Sequence, residues 1–160
     1  MIMQTPDACL TLVRTLQASP QEIFKAWTDP GLIHRWMSSS DGTTVAEVDA
    51  RIGGRYRLET KTSDGLVHVT TGVYQELEPG RRLVKTWIYE GPFPDFVGHE
   101  TLLTLDLREV GPGLTELTLK HERLPSDAYR DSLRQGWSGL LDNLVAFYVS
   151  EPVALSLPEA

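Results

Sequence analysis

From residue 126 to about 151 the apolar positions Leu133, Trp137, Leu140, Leu141, Leu144 and Tyr148 recur in steps of four, three, one, three and four. That spacing puts them on one stripe of an α-helix. Asp127, Arg130, Asp131, Arg134, Gln135 and Asp142 occupy the other side, so the helix has one buried and one wet face. Ser126 offers a capping oxygen and Asp127 an acid at the positive end of the helix dipole. At ~1.5 Å per residue, about 25 residues span roughly 37 Å, enough to cross a small domain. Such a stripe needs a sheet beneath it, and the contact can enclose a cavity.

The preceding chain supplies that sheet. Residues 9–17 alternate as a first strand and stop at Ala18-Ser19-Pro20, where Ser19 caps a helix and Pro20 fits its first turn. Ile23, Phe24, Ala26 and Trp27 line one side of this short helix. Thr28-Asp29-Pro30 ends it and starts a second one through Leu32, Ile33 and Trp36, because proline is tolerated in a first turn but not in an interior. From residue 44 the period changes to two, and 44–48, 54–61, 66–76, 82–89, 99–108 and 114–122 read as strands. Turn chemistry separates them at Gly53-Gly54, Ser63-Asp64-Gly65, Glu78-Pro79-Gly80, Gly91-Pro92 and Gly111-Pro112-Gly113. The order predicts an α+β domain: seven antiparallel strands in a curved sheet, gripped by the long C-terminal helix. One domain is expected over 1–160, with an ordered core over about 8–151 and a loose tail over 152–160.

Composition narrows the partners. The formal net charge is -7 and the sequence pI is about 5.0, with no basic cluster beyond pairs such as Arg81-Arg82, which argues against a nucleic acid. No run approaches ~18 apolar residues, so no membrane span is expected. Cys9 is the single cysteine; it is expected as a small strand hydrophobe in a reducing, cytoplasmic setting.

Several motifs resemble, in order, one known family. They are Ala18-Ser19-Pro20, Ile23-Phe24-Lys25-Ala26-Trp27-Thr28-Asp29-Pro30, Arg35-Trp36, Asp49-Ala50-Arg51-Ile52-Gly53-Gly54-Arg55-Tyr56-Arg57, Asp64-Gly65, Gly72-Val73-Tyr74, Arg82-Leu83-Val84-Lys85-Thr86-Trp87, Thr118-Leu119-Lys120-His121-Glu122 and Gly136-Trp137. The family is named for the activator of heat-shock protein 90 ATPase and lies within the START-like, birch-pollen-allergen-like superfamily. The resemblance implies a helix-grip fold with a cavity between sheet and long helix. It implies much less about activity, since one fold hosts many functions. Eukaryotic co-chaperone members carry an additional chaperone-binding N-terminal domain, which a chain opening on the first strand is expected to lack.

The candidate chemistry divides into three readings. The first is binding of a hydrophobic or aromatic small molecule by a cavity lined by Trp36, Tyr56, Leu58, Trp87, Leu103, Leu105, Leu119, His121, Trp137 and Leu141, with Phe93 and Phe96 on its rim. The second is an enzyme of the cyclase, aromatase or dehydratase kind, using His121 with Tyr56 as acid and base. The third is a co-chaperone or stress-response interaction module with a filled interior. His121 shares a strand face with Thr115, Leu117 and Leu119, and as a core histidine it would simply be satisfied by neighbours. The large aromatic residues could equally be packing.

His34, His68, His99 and His121 have no metal-binding spacing, and no cofactor is expected. Gly53-Gly54 reads as a tight turn rather than a phosphate loop. Gly136 and Gly139 read as places where the long helix approaches the sheet closely or bends. Lys85 shares a face with Leu83, Trp87 and Tyr89, so it is expected at a rim or on the solvent side. The loops 38–42 and 91–96 could rim a pocket, form surface turns or meet in a homodimer.

Overall fold

The computed structural model describes residues 8–156, with side chains from 8 to 149. The elements run β1 (Ala8–Leu16), α1 (Pro20–Thr28), α2 (Pro30–Met37), β2 (Gly42–Val48), β3 (Arg55–Thr62), β4 (Val67–Glu78), β5 (Arg82–Glu90), a 3-10 turn (Pro94–Phe96), β6 (Glu100–Gly111), β7 (Leu114–Leu124) and α3 (Asp127–Ser156). The strands form one antiparallel sheet in the order β1-β7-β6-β5-β4-β3-β2. All seven strands and all three helices expected from the periods are present. The last helix extends to Ser156, past the expected end near 151; of the tail expected to be loose, 157–160 lie outside the described residues.

Local chemistry explains the helical corner. The Ser19 hydroxyl accepts the Glu22 amide at 3.1 Å and the Glu22 carboxylate accepts the Ser19 amide at 2.9 Å, a reciprocal cap for α1. The Asp29 amide closes α1 by donating to the Lys25 carbonyl at 2.9 Å, and its carboxylate opens α2 by accepting the amides of Gly31 and Leu32. The Trp36 indole N–H donates to the Ala26 carbonyl at 2.8 Å, locking the two short helices together. Helix α3 then packs against β1, β7 and α2, closing the concave side of the sheet.

One glycine shapes the interior. Tyr56 on β3 faces Gly72 on β4, and its hydroxyl crosses that position to donate to the Thr86 carbonyl on β5 at 2.5 Å. A Cβ on Gly72 would lie 2.0 Å from that carbonyl oxygen and 2.6 Å from the Tyr56 ring, so only glycine fits beneath the ring. The α3 glycines behave differently: a Cβ on Gly136 or Gly139 meets nothing within 4 Å. Close approach to the sheet therefore does not account for them. Cys9 lies in β1 as expected, but it is exposed, because it shares the outward side of the strand with Thr11, Val13 and Thr15 while Leu10 and Leu16 point inward.

Candidate functional site

The interior under α3 divides into a filled part and an open part. The open part is a cavity of about 290 Å³. Helix α3 supplies Tyr129, Ser132, Leu133, Gly136, Trp137 and Leu140, strands β3 to β5 supply Thr60, His68, Thr70, Trp87 and Tyr89, and the β5–β6 loop supplies Phe93 and Phe96. None of these carries a permanent charge. Phe93, Ser132 and Gly136 are the exposed members of the lining and mark the mouth.

Aromatic contacts fix the walls. Trp87 and Trp137 meet with ring centroids 5.1 Å apart, and Tyr129 stacks on Phe96 at 4.5 Å with planes 10° apart. The polar edges are few. His68 Nδ1 and the Tyr89 hydroxyl share a hydrogen bond of 2.8 Å, and the Thr60 hydroxyl is occupied by that of Thr44. The buried Tyr129 hydroxyl has no hydrogen-bond partner of acceptable geometry. Burial pushes its pKa up to about 12, with the neighbouring Trp87 indole pulling the other way.

His121 is held on both sides of its ring. The Thr101 hydroxyl donates to the Trp87 carbonyl at 2.8 Å, and so accepts from His121 Nε2–H at 2.7 Å. The Trp137 indole N–H donates to His121 Nδ1 at 3.1 Å. This network fixes a neutral tautomer with both nitrogens used. Burial and then the nearby Lys85 charge depress its pKa to about 3. The arrangement ties β6, β7 and α3 together and leaves His121 no free nitrogen for proton transfer.

Lys85 occupies the filled part. It is 2% exposed and points inward with Leu83 and Trp87, neither at a rim nor in solvent. The reason is an aromatic enclosure: Nζ lies 4.1 Å from the Tyr56 ring centroid and 5.9 to 6.0 Å from those of Trp27, Tyr74 and Trp87. These ring faces attract an ammonium. No carboxylate among the described residues pairs with it, and burial lowers its pKa to about 7. Two further polar atoms here lack partners, the Trp27 indole nitrogen and the Tyr74 hydroxyl.

Of the residues expected to line the cavity, Trp87, Trp137, Phe93 and Phe96 do so. Trp36, Tyr56, Leu58, Leu103, Leu105, Leu119, His121 and Leu141 are buried core residues outside that lining. Burial, followed by the hydroxyls of Tyr74 and Tyr129, raises the Tyr56 pKa well above the usual tyrosine value. The lining residues not anticipated were Thr60, His68, Thr70, Tyr89, Tyr129, Ser132, Leu133, Gly136 and Leu140. Tyr129 had a legible signal, one step of four before Leu133 on the helical stripe. His68 shares the period-two face of Thr70 and Tyr74. Among the described residues no group of three or more His, Cys, Asp or Glu side chains could hold a metal ion, and no helix is long and apolar enough to cross a membrane.

Comparison with known proteins agrees with this architecture. The family model described as Activator of Hsp90 ATPase homolog 1-like protein matches residues 17–148. The human activator of 90 kDa heat shock protein ATPase homolog 1 is 26% identical over 135 residues, covering 84% of this chain. The match spans only 35% of that curated relative's length. A crystal structure from Chromobacterium violaceum superposes with a TM-score of 0.77 at 26% identity, over 88% of this chain and 96% of the other. The AHSA1 protein of Silicibacter pomeroyi gives a TM-score of 0.78 at 21% identity, over 90% and 99%, a likeness of fold alone.

Proposed function

The chain belongs to the Activator of Hsp90 ATPase homolog 1-like family, and from that premise we propose that it binds a hydrophobic or aromatic small molecule between α3 and strands β3 to β5. The observation that carries this reading is the cavity of about 290 Å³ with its aromatic walls and few polar edges, the usual make-up of a small-molecule site. A domain serving only as packing would gain by closing such a space, since unfilled volume forfeits dispersion contacts. Binding is favoured over acid–base chemistry because His121 and Tyr56 lie outside the lining and spend their polar atoms on structural hydrogen bonds. A cytoplasmic setting accords with the single cysteine.

The test is to denature the protein purified from its native host and analyse the released small molecules by mass spectrometry against a denatured blank. A reproducible, stoichiometric hydrophobic molecule is expected. An empty protein that also shows no thermal shift across an aromatic and lipid library would end the binding reading. A second reading, contact with a heat-shock protein 90 chaperone, has the human relative's name behind it. Its readout is co-purification with the host chaperone and a change in that chaperone's ATPase rate.

A further inference from the structure

We propose that the cavity selects an uncharged, flat aromatic molecule of about two fused rings, and that Gly136 is the residue that admits it. This rests on the binding reading above and adds the ligand class and a specificity residue to it. Size comes from the volume: about 290 Å³ is roughly ten water volumes, too little for a long acyl chain or a sterol and enough for a bicyclic ring system. Charge is excluded by the lining. A carboxylate or ammonium entering this space would leave water without meeting a permanent counter-charge, which costs several kcal/mol. Lys85 does not help an anion, because it is outside the lining and enclosed by rings of its own. Flatness follows from the walls, since Trp87, Trp137, Phe96 and Tyr129 offer ring faces and edges to an offset-stacked guest.

Gly136 is a mid-helix glycine that packing does not require. Glycine there costs ~1 kcal/mol relative to alanine, yet a Cβ would meet no atom within 4 Å. It sits on the cavity wall and is exposed at the mouth, so what its missing side chain leaves open is the entrance. Tyr129 lies seven residues earlier, two turns back on the same helix face. The Trp87 indole beside its buried hydroxyl can only donate, so the Tyr129 O–H has no acceptor, and a carbonyl or phenolic oxygen on the guest supplies one.

Three probes of matched size test this on the full chain by calorimetry: 2-acetylnaphthalene, 2-isopropylnaphthalene and 2-naphthoate. The ketone is expected to bind tightest, the hydrocarbon about tenfold more weakly for want of one hydrogen bond, and the carboxylate more weakly still. Tyr129→Phe should erase the preference of ketone over hydrocarbon. Gly136→Ala should raise the melting temperature, and Gly136→Leu should keep the wild-type circular dichroism while weakening the ketone at least about tenfold. A folded Gly136→Leu protein that binds the ketone as wild type does, or wild type that prefers naphthoate, overturns the inference while the binding reading stands. Wild type that binds no probe and carries no molecule from its host overturns both.

Discussion

Replacing Lys85 with methionine should stabilise this protein at neutral and acidic pH and lose that advantage in base. Methionine keeps the length of the side chain and removes its charge. The folded state holds the lysine pKa at about 7 against 10.5 in the unfolded chain. Between those values the unfolded chain keeps a proton that the folded chain has released, so wild-type stability rises with pH across this window. Below it both states are protonated and the full penalty applies; above it both are neutral and the penalty is gone. The interval from 10.5 to about 7, at about 1.4 kcal/mol per pH unit, caps the penalty at about 5 kcal/mol. The attraction of the Tyr56 ring face at 4.1 Å lowers this cap by up to about 2 kcal/mol. The substitution is therefore worth about 3 to 5 kcal/mol, or roughly 6 to 20 °C in melting temperature for a chain of this size. Urea unfolding of both proteins from pH 6 to 10.5 measures the difference. A gap between wild type and Lys85→Met that stays constant over this range would refute the buried, cage-held lysine.

Other substitutions probe the frame around the site. With the His121 pKa near 3, the unfolded chain takes up a proton below pH 6.5 that the folded chain refuses, so stability falls by up to about 1.4 kcal/mol per pH unit as pH drops from 6.5 towards 3. His121→Leu should flatten that part of the pH profile relative to wild type, while leaving the Trp137 indole N–H without an acceptor at about 1 to 3 kcal/mol, the Thr101 hydroxyl keeping the Trp87 carbonyl; paired urea titrations at pH 7 and 4.5 read both effects. Gly72→Ala drives a methyl group against the Thr86 carbonyl and should cost more than about 3 kcal/mol or abolish soluble expression; a melting curve matching wild type would contradict the close approach. Ser19→Ala removes the α1 cap and should cost about 1 kcal/mol, seen as a small shift in the urea midpoint with unchanged slope.

The fold was legible because each element carries its own local signal. Ser19-Pro20 and Asp29-Pro30 announce two helix starts, the α3 stripe has the helical period, and turn residues separate six of the strands. The cavity was only half legible. Trp87, Trp137, Phe93 and Phe96 stand out as large aromatic residues on converging elements, but the face they share with Trp36, Tyr56 and Leu119 gives no measure of which part is filled. That depends on how side chains from distant strands interdigitate. Trp27, Trp36, Tyr74 and Lys85 fill one end of the concave face, and the wall at Gly136 stays open. Lys85 itself was misread because alternation placed it on the apolar face while its charge argued for water. The arbiter was a ring of aromatic faces drawn from α1, β3, β4 and β5, which no window along one strand displays.

The chain of indoles has an optical consequence. All four tryptophans are buried, and they run in contact from Trp36 to Trp27, Trp137 and Trp87 at centroid separations of 4.8, 5.7 and 5.1 Å. Rings this close exchange excitation, so light absorbed at the helical corner reaches the pair that walls the cavity. The intrinsic emission of the whole protein is thus shared with two fluorophores whose surroundings a guest would alter. Occupancy can be followed by quenching, and by the near-ultraviolet circular dichroism of the coupled rings, without attaching any dye.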